Sequence, residues 1–215
     1  MIKTLILDSD GVLYPANQLS LRIISEALLR TLNDFDIHKS EWRKCTDYCK
    51  KHGHLWMLNK IRRLCCTNGI SEMDFYKAHA ENIDYTSIRP NIELTKYLIE
   101  LKNKDVTIAV ASNNHQPHLE KVLDRVFGQS SENIFSDIIS GHSFQNNYSE
   151  GQFHVLKPSK LYFEELCTRF NKKPQECVFV DDTLMNINAC NDLGILGIHL
   201  FDQTRLIEEI RKFLC

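Results

Sequence analysis

The sequence predicts an α/β protein with a doubly wound, Rossmann-like parallel sheet as its core and an inserted all-helical cap domain. Short apolar runs followed directly by polar residues suit strands that are buried on both faces. In the second half of the chain, helix-like and strand-like segments alternate, which predicts parallel strands joined by right-handed crossovers. No strand-like segment occurs from Pro15 to Ile88. We therefore predict a core from residues 1–14 and 90–215 and a helical cap from residues 15–89.

The elements are predicted in order from apolar periodicity. Leu5 to Leu7 forms the first strand, and the cap helices cover residues 19–33, 40–49 and 55–66 and begin again at residue 71. Ser20 is placed to cap the first helix, and Ser71 opens the last with a capping-box-like pattern. The core continues with helix 93–101, strand 106–111, helix 118–127, strand 134–139, helix 160–170, strand 178–180, helix 185–193, strand 197–200 and helix 205–214. Residues 141–156 are polar and lack a clear period, which predicts a mobile loop.

Composition and charge exclude several classes of function. The 215 residues carry a formal net charge of −2, and no basic field favours a nucleic acid polymer or an anionic membrane surface as partner. Asp8 interrupts the apolar start, so we expect no signal peptide, and no apolar run approaches membrane-spanning length. We therefore expect a cytoplasmic protein whose eight cysteines are free thiols.

Two carboxylates, Asp8 and Asp10, flank one residue directly after the first predicted strand and before Gly11. Ligands bind beyond the carboxyl ends of the strands in an open parallel sheet, so both lie where a site is expected. Carboxylates this close repel each other unless a cation lies between them or one holds a proton. Hard oxygen ligands suit Mg²⁺. On these residues alone the alternative is an acidic turn, because Asp and Gly are common turn formers.

Four segments, in order, resemble the four signatures of the haloacid dehalogenase-like superfamily. Leu5 to Tyr14 resembles the first, an apolar strand that ends in two aspartates separated by one residue. Val106 to Asn113 resembles the second, Lys157-Pro158 the third, and Cys177 to Asp182 the fourth, a strand that ends in an acidic pair. The resemblance spans nearly the whole chain. It implies a member of subfamily I, which combines the α/β core with a helical cap.

The resemblance also implies the chemistry of the site. Asp8 is expected to be the nucleophile that forms an aspartyl-phosphate, and Asp10 the general acid and base. Dehalogenases of the family generally lack the second aspartate, so Asp10 favours phosphate esters as substrates. Lys157 is expected to clamp the charges of Asp8 and the phosphoryl oxygens. Taken alone, a lysine at that position is better interpreted as a surface residue.

A Mg²⁺ cofactor is implied in the same way. The predicted metal-site residues are Asp8, Asp10 through its backbone carbonyl, Asp182, and Asp181, which we expect beside the ligands rather than among them. Asn186 matches the later position of the fourth signature. The alternative is that Asp181 or Asp182 caps the helix that follows.

Ser112 and Asn113 follow an apolar strand and are predicted to bind phosphate. Their hydroxyl, amide and backbone N–H groups suit an anionic phosphoryl group. The alternative for Ser112 is a helix N-cap.

A narrower resemblance, to the pyrimidine 5′-nucleotidase branch, concerns the choice of substrate. It rests on residues 83–91, on residues 181–187, and on residues 48–53, where Cys49 and His52 replace two tyrosines of the branch's cap motif. Tyr48 and His52 are accordingly predicted to contact the substrate.

The sequence thus predicts a Mg²⁺-dependent phosphomonoester hydrolase acting on a small soluble phosphate ester, with a pyrimidine nucleoside 5′-monophosphate as one candidate. The alternative is a weakly active or non-catalytic protein of the same fold whose cap binds zinc or a protein partner. Cys45 and Cys49, four residues apart on a predicted helix, could share one face. Nearby in sequence are His52, His54, Cys65 and Cys66. Against zinc, no Cys-x-x-Cys occurs, and thiols are often buried as small apolar groups.

Overall fold

The computed structural model describes residues 2–51, 57–148 and 151–214. Its strands are β1 (Thr4–Leu7), β2 (Thr107–Ala111), β3 (Asp137–Ile139), β4 (Gln145–Tyr148), β5 (Gly151–His154), β6 (Cys177–Asp181) and β7 (Leu196–His199). Five of them form one parallel sheet in the order β3-β2-β1-β6-β7. The predicted α/β class and doubly wound sheet are confirmed.

Helices connect these strands and fill the segment between β1 and the rest of the sheet. They are α1 (Leu21–Asp34), α2 (Lys39–Lys51), α3 (Met57–Asn68), α4 (Glu72–Asn82), α5 (Ile92–Lys102), α6 (Gln116–Phe127), α7 (Ser131–Ile134), α8 (Lys160–Phe170), α9 (Leu184–Leu193) and α10 (Leu206–Arg211). Ser20 and Ser71 cap α1 and α4 as predicted, since their side chains accept bonds from backbone N–H groups of the first turn.

Both faces of the sheet are buried, which explains why β1 is apolar at consecutive positions. Leu5 and Leu7 lie in one core cluster with Leu98 of α5 and Ile210 of α10. Ile6 points to the other face, where its cluster draws on α8 and α9. Successive side chains of a strand alternate between faces, so a strand covered on both sides needs no polar position.

Helices α1 to α4, called the helical block below, have a separate apolar cluster. It includes Leu32 of α1, Ile61 of α3 and Phe75 of α4. Leu156, which precedes Lys157 in the chain, also belongs to this cluster although it lies outside the block. The division into a core and a cap at residues 14 and 90 stays a prediction.

One predicted loop is wrong. Within residues 141–156, β4 and β5 pair antiparallel, with Gln145 opposite His154 and Tyr148 opposite Gly151. The run is polar, so it lacks the alternation of apolar and polar residues by which a strand is recognised. Backbone hydrogen bonds nevertheless hold the pair, and Val155 N–H continues it by donating to Phe144 O at 2.9 Å.

Two predicted elements are shorter than expected. The strand predicted over residues 134–139 is confined to Asp137–Ile139, because the short helix α7 takes up the preceding residues. The last predicted helix begins as a 3₁₀ turn, Gln203–Arg205, and continues as α10. Across the described ranges, no helix combines the length and apolar character that a membrane crossing requires.

Candidate functional site

The candidate site lies where β1, β2 and β6, the three central neighbours of the sheet, reach their carboxyl ends. A cavity of about 230 Å³ opens there. Predicted site residues in its lining are Asp8, Asp10, Ser112, Asn113, Lys157 and Asp182. Residues far apart in the sequence meet because parallel strands deliver their ends to one edge.

Lys157 is the charged centre of the site. Its side chain is almost fully buried, and Nζ lies 2.8 Å from Asp8 Oδ1 and 2.7 Å from Asp181 Oδ2. Burial opposes its charged form, but the two aspartates outweigh burial and raise the pKa of Lys157. A buried ammonium paired with two carboxylates stays charged, so Lys157 is not the surface residue that its position alone allows.

Asn113 fixes the backbone of Lys157. Its Nδ2 donates to Lys157 O at 3.0 Å, and its Oδ1 accepts from Lys157 N–H at 2.9 Å. The Asn113 amide is therefore held at both ends by the Lys157 backbone, and one N–H of its NH2 group is left for a phosphate. Ser112 Oγ accepts from Asn114 N–H at 3.3 Å. The N-cap of α6 is His115, not Ser112.

Three carboxylates, those of Asp8, Asp181 and Asp182, have oxygen atoms within 4.8 Å of one another. Burial raises the pKa of Asp8 to about 8, with Lys157 opposing the shift and Asp181 adding to it. Burial, followed by Asp181, also raises the pKa of Asp182. When all three carboxyl groups are ionised, three negative charges against one ammonium leave an excess of negative charge, which a divalent cation would offset.

The surroundings of this trio fit a cation with oxygen ligands. Asn186 Nδ2 donates to both oxygens of Asp181 at 3.0 Å, while Asn186 Oδ1 is buried without a hydrogen-bond partner. Asp181 also accepts from Thr183 N–H at 2.8 Å. Because Asp181 already accepts from Lys157, Asn186 and Thr183, its geometry supports a place beside the ligands. Buried polar atoms are normally paired, so the free Oδ1 is a further oxygen for a cation shell.

Gly11 is required by this arrangement. Its φ is +76°, in the left-handed region that favours glycine, and a Cβ there would collide with the Asp182 carboxylate. The glycine after the two aspartates therefore allows Asp182 to approach the end of β1.

Asp10 is held by residues that the sequence analysis did not name. Tyr14 Oη donates to Asp10 Oδ1 at 2.5 Å, and Asn114 Nδ2 donates to Asp10 Oδ2 at 2.9 Å. His118 Nε2 lies 3.9 Å from Oδ1. Burial raises the pKa of Asp10, but His118, the Tyr14 hydroxyl and the Asn114 amide together lower it to about 2.

The helical block contributes Met57 and Leu58 of α3 to the cavity lining. Leu58 is buried, and Gly141 leaves room for it: a Cβ at Gly141 would collide with Leu58 Cδ1 and would lie 2.5 Å from Asn113 O. Asn59, in the first turn of the same helix, bonds to β5, because its Oδ1 accepts a hydrogen bond from His154 N–H at 3.0 Å.

The two predicted substrate contacts of the cap have different outcomes. Tyr48 lies half-buried on α2 with the Arg63 guanidinium 4.2 Å from its ring centroid, and it is not among the residues that line the cavity. His52 lies outside the described residues. Both contacts stay predictions.

The zinc alternative finds no ligand cluster in the described residues. Cys45 and Cys49 are buried free thiols, and burial raises the pKa of both. Cys49 Sγ donates to Asn59 O at 3.7 Å. Among residues 2–51, 57–148 and 151–214, the group able to hold a metal is Asp8, Asp181 and Asp182. His52 and His54 lie outside these ranges.

Comparison with known proteins finds a matching family model and curated relatives. The sequence model of the family described as "haloacid dehalogenase-like hydrolase" matches residues 2–194. The chain is 24% identical over 128 residues to the sesquiterpene phosphatase astK of Aspergillus oryzae, covering 59% of each protein. It is 29% identical over 123 residues to a phosphoglycolate phosphatase of Pasteurella multocida, covering 57% of this chain and 49% of the relative. The chain thus spans about half the length of the curated relatives it matches.

Solved structures show the same fold. A haloacid dehalogenase family enzyme of Bacteroides thetaiotaomicron, in complex with magnesium and inorganic phosphate, matches with a TM-score of 0.55 at 17% identity, over 92% of this chain and 93% of that one. CbbY of Rhodobacter sphaeroides, in complex with phosphate, matches with a TM-score of 0.59 at 19% identity, over 92% and 85% of the two chains. At these identities the likeness concerns the fold.

Proposed function

Because this chain belongs to the haloacid dehalogenase-like hydrolase family, we propose that it is a Mg²⁺-dependent phosphomonoester hydrolase that acts through an aspartyl-phosphate. One observation carries the proposal: Lys157 Nζ lies 2.8 Å from Asp8, while Asp10 lines the same cavity and is held by hydrogen bonds from other residues. A nucleophile with its charge partner and an independently held acid–base group thus face one space.

Asp8 is the nucleophile in this mechanism. Its carboxylate attacks phosphorus, the bond to the leaving oxygen breaks, and the phosphoryl group is transferred to Asp8. Lys157 opposes protonation of Asp8 and offers positive charge to the phosphoryl oxygens, while Ser112 and Asn113 line the same cavity. Water then attacks the phosphorus of the intermediate and regenerates Asp8.

Asp10 serves both half-reactions. It gives a proton to the leaving oxygen in the first and removes a proton from the attacking water in the second. Its neighbours favour the carboxylate in the free protein. The negative charge of an entering phosphate shifts this balance toward the protonated acid, because like charges raise the pKa of a carboxyl group.

Mg²⁺ fits the oxygens of Asp8, Asp182 and the Asp10 backbone, with Asp181 and Asn186 beside them. The ion would neutralise the carboxylates and polarise the phosphoryl group. Two observations support this ion. Asp8, Asp181 and Asp182 form a group able to hold a metal, and a protein of the same fold was solved with magnesium and phosphate.

The proposed substrate is a small soluble phosphate ester that enters beneath the helical block, which we propose acts as a cap. Curated relatives are phosphatases named for phosphoglycolate and for sesquiterpenes. The resemblance of residues 83–91 and 181–187 to pyrimidine 5′-nucleotidases adds pyrimidine nucleoside 5′-monophosphates to the candidates.

A screen of phosphorylated metabolites with purified protein, with and without Mg²⁺, tests the proposal. We expect release of inorganic phosphate from at least one ester, dependent on Mg²⁺ and abolished in Asp8→Asn. Phosphate release that survives this substitution would exclude the proposed nucleophile, and no release from any ester would exclude the proposed activity.

A further inference from the structure

Two linkers join the helical block to the sheet, and they lie side by side. Residues 14–20 lead into the block and residues 83–91 lead out of it. Ser87 Oγ donates a hydrogen bond to Gln18 O, and Arg89 N–H donates to Gln18 Oε1 at 3.1 Å. The entry and exit of the block are therefore bonded to each other.

Each linker carries a buried tyrosine whose hydroxyl reaches the neighbourhood of Asp10. Tyr14, on the entry side, is 2% exposed and donates directly to Asp10 Oδ1. Tyr85, on the exit side, is 6% exposed, and its hydroxyl lies 2.9 Å from His118 Nδ1. His118 Nε2 is buried without a hydrogen-bond partner and lies 3.9 Å from the same Asp10 Oδ1. The entry linker thus bonds to this carboxylate oxygen directly, and the exit linker bonds to the histidine that lies beside it.

The other oxygen of Asp10 is held from the sheet side. Asn114, which lies between β2 and α6, donates to Oδ2 at 2.9 Å. The Asp10 side chain is otherwise 47% exposed, so without these bonds it would be free to change rotamer in the open cavity. Its orientation depends on one contact from the sheet and on contacts from the two linkers.

We infer that Tyr14 and Tyr85 are positioning residues, which couple the orientation of the Asp10 carboxylate to the placement of the helical block. The inference rests on the proposed function, in which Asp10 is the general acid and base. Tyr14 acts directly, and Tyr85 acts through His118. A block that shifts on its linkers therefore changes how Asp10 faces the leaving oxygen.

A purely structural role for these hydroxyls makes a different prediction. Buried tyrosines normally find a hydrogen-bond partner, whether or not that partner does chemistry. Loss of such a bond lowers stability and affects all substrates alike. Loss of a bond that positions an acid affects most those substrates whose leaving group needs a proton.

The test compares two esters in the full-length protein. Glycerol 2-phosphate has an alkoxide leaving group that needs protonation, whereas p-nitrophenyl phosphate has one that leaves with little help. The readout is kcat/KM, which reports the steps up to phosphorylation of Asp8 and leaves out the later attack of water. For Tyr14→Phe we expect kcat/KM for the alkyl ester to fall about tenfold, with a much smaller effect on the aryl ester, since general acid catalysis contributes roughly 10²–10⁴-fold in all. For Tyr85→Phe we expect a smaller change in the same direction.

Tyr76→Phe is the matched control. Tyr76 is a buried tyrosine of α4 whose hydroxyl donates to Glu72, away from Asp10. We expect it to leave the ratio of alkyl to aryl turnover unchanged. Thermal unfolding of all three variants identifies any general loss of folded protein.

A second arm places the two linker substitutions in an Asp10→Asn background and follows the aryl ester. Residues that act through Asp10 should then have no further effect on kcat/KM. Equal losses of kcat/KM on both esters in the wild-type background, or losses that persist without Asp10, would overturn the inference and leave the proposed function standing. If the wild type hydrolyses neither of these esters nor any other, the proposed function fails and the inference fails with it.

Discussion

At the scale of single residues, the main feature of the site is a buried ion cluster of Lys157, Asp8 and Asp181. Lys157 is almost fully buried and is in contact with two carboxylates. Removing one partner of such a cluster leaves uncompensated buried charge, which costs far more than an exposed ion pair contributes.

Lys157→Met should therefore affect both stability and turnover. We expect the free energy of unfolding to fall by about 3 kcal/mol, because Asp8 and Asp181 lose their shared counter-charge. Urea denaturation measures this, and phosphate release should fall at least about 100-fold. Lys160→Met is the matched control: Lys160 is exposed and pairs with Glu164 at 3.4 Å, so we expect less than about 1 kcal/mol. Similar losses in both variants would contradict a special role for Lys157.

The roles of Asp8 and Asp10 should be distinguishable by the leaving group of the ester that is supplied. Asp8→Asn removes the nucleophile, so no ester should phosphorylate the protein. Asp10→Asn keeps the nucleophile, and p-nitrophenolate leaves without a proton, so a phosphoenzyme should form and then persist because its attacking water has lost the base. Intact-mass measurement after rapid quenching detects the added phosphoryl group. Asp8→Asn that still hydrolyses esters near the wild-type rate, with deamidation excluded, would contradict covalent catalysis.

At the scale of elements, the first turn of α3 forms part of the wall of the site. Met57 and Leu58 line the cavity, and Asn59 bonds to the backbone of His154. This helix is thus bonded to the β4–β5 pair. We expect its first turn to contact the part of a substrate that lies beyond the phosphate.

Met57→Ala should change the choice of substrate more than the chemistry. We expect kcat/KM to change by different factors across nucleotide, sugar and glycolyl phosphate esters. The kcat/KM for p-nitrophenyl phosphate, which needs little contact with α3, should change least. Tyr48→Ala on α2 is the comparison. If Tyr48 contacts the substrate as the sequence suggests, it should produce a similar spread. Uniform losses for Met57→Ala would remove α3 from specificity.

How far the sequence predicts the molecule can be seen in particular elements. The strands β1, β2 and β6 and their polar ends were predicted because apolar runs and abrupt polar stops are local signals. The β4–β5 pair was missed because its stability lies in backbone pairing rather than in an apolar pattern. Asn114, a partner of Asp10, is not predicted because contacts between distant positions have no local signal, and Asn114 is 104 residues away.

At the scale of the whole molecule, binding of a metal should be visible as stability. A ligand that binds only the folded state at about 100 times its dissociation constant adds about 2.7 kcal/mol. For a chain of this size, Tm should then rise by roughly 5–10 °C. We expect Mg²⁺ to raise the Tm of the metal-free protein and excess chelator to reverse the rise. Asp182→Asn should lose most of it, and an equal shift in that variant would place the ion elsewhere.

Calcium should separate binding from turnover. The same oxygens accept Ca²⁺, so Tm should rise as well, but Ca²⁺ prefers more ligands and a looser geometry. It can then engage both oxygens of Asp8, which removes the nucleophile, so phosphate release should fall when Ca²⁺ replaces Mg²⁺. Unchanged turnover in Ca²⁺ with full occupancy would contradict this account.

Leu156 packs within the apolar cluster of the helical block although the chain reaches it only after β5, one residue before Lys157. A fragment of residues 15–89 alone would therefore lack Leu156, one of the side chains that fill the apolar cluster between its helices. We therefore expect the folding of the block to be coupled to the folding of the segment that carries Leu156. Calorimetry should accordingly show one cooperative transition, with the van't Hoff and calorimetric enthalpies equal, instead of two independent meltings.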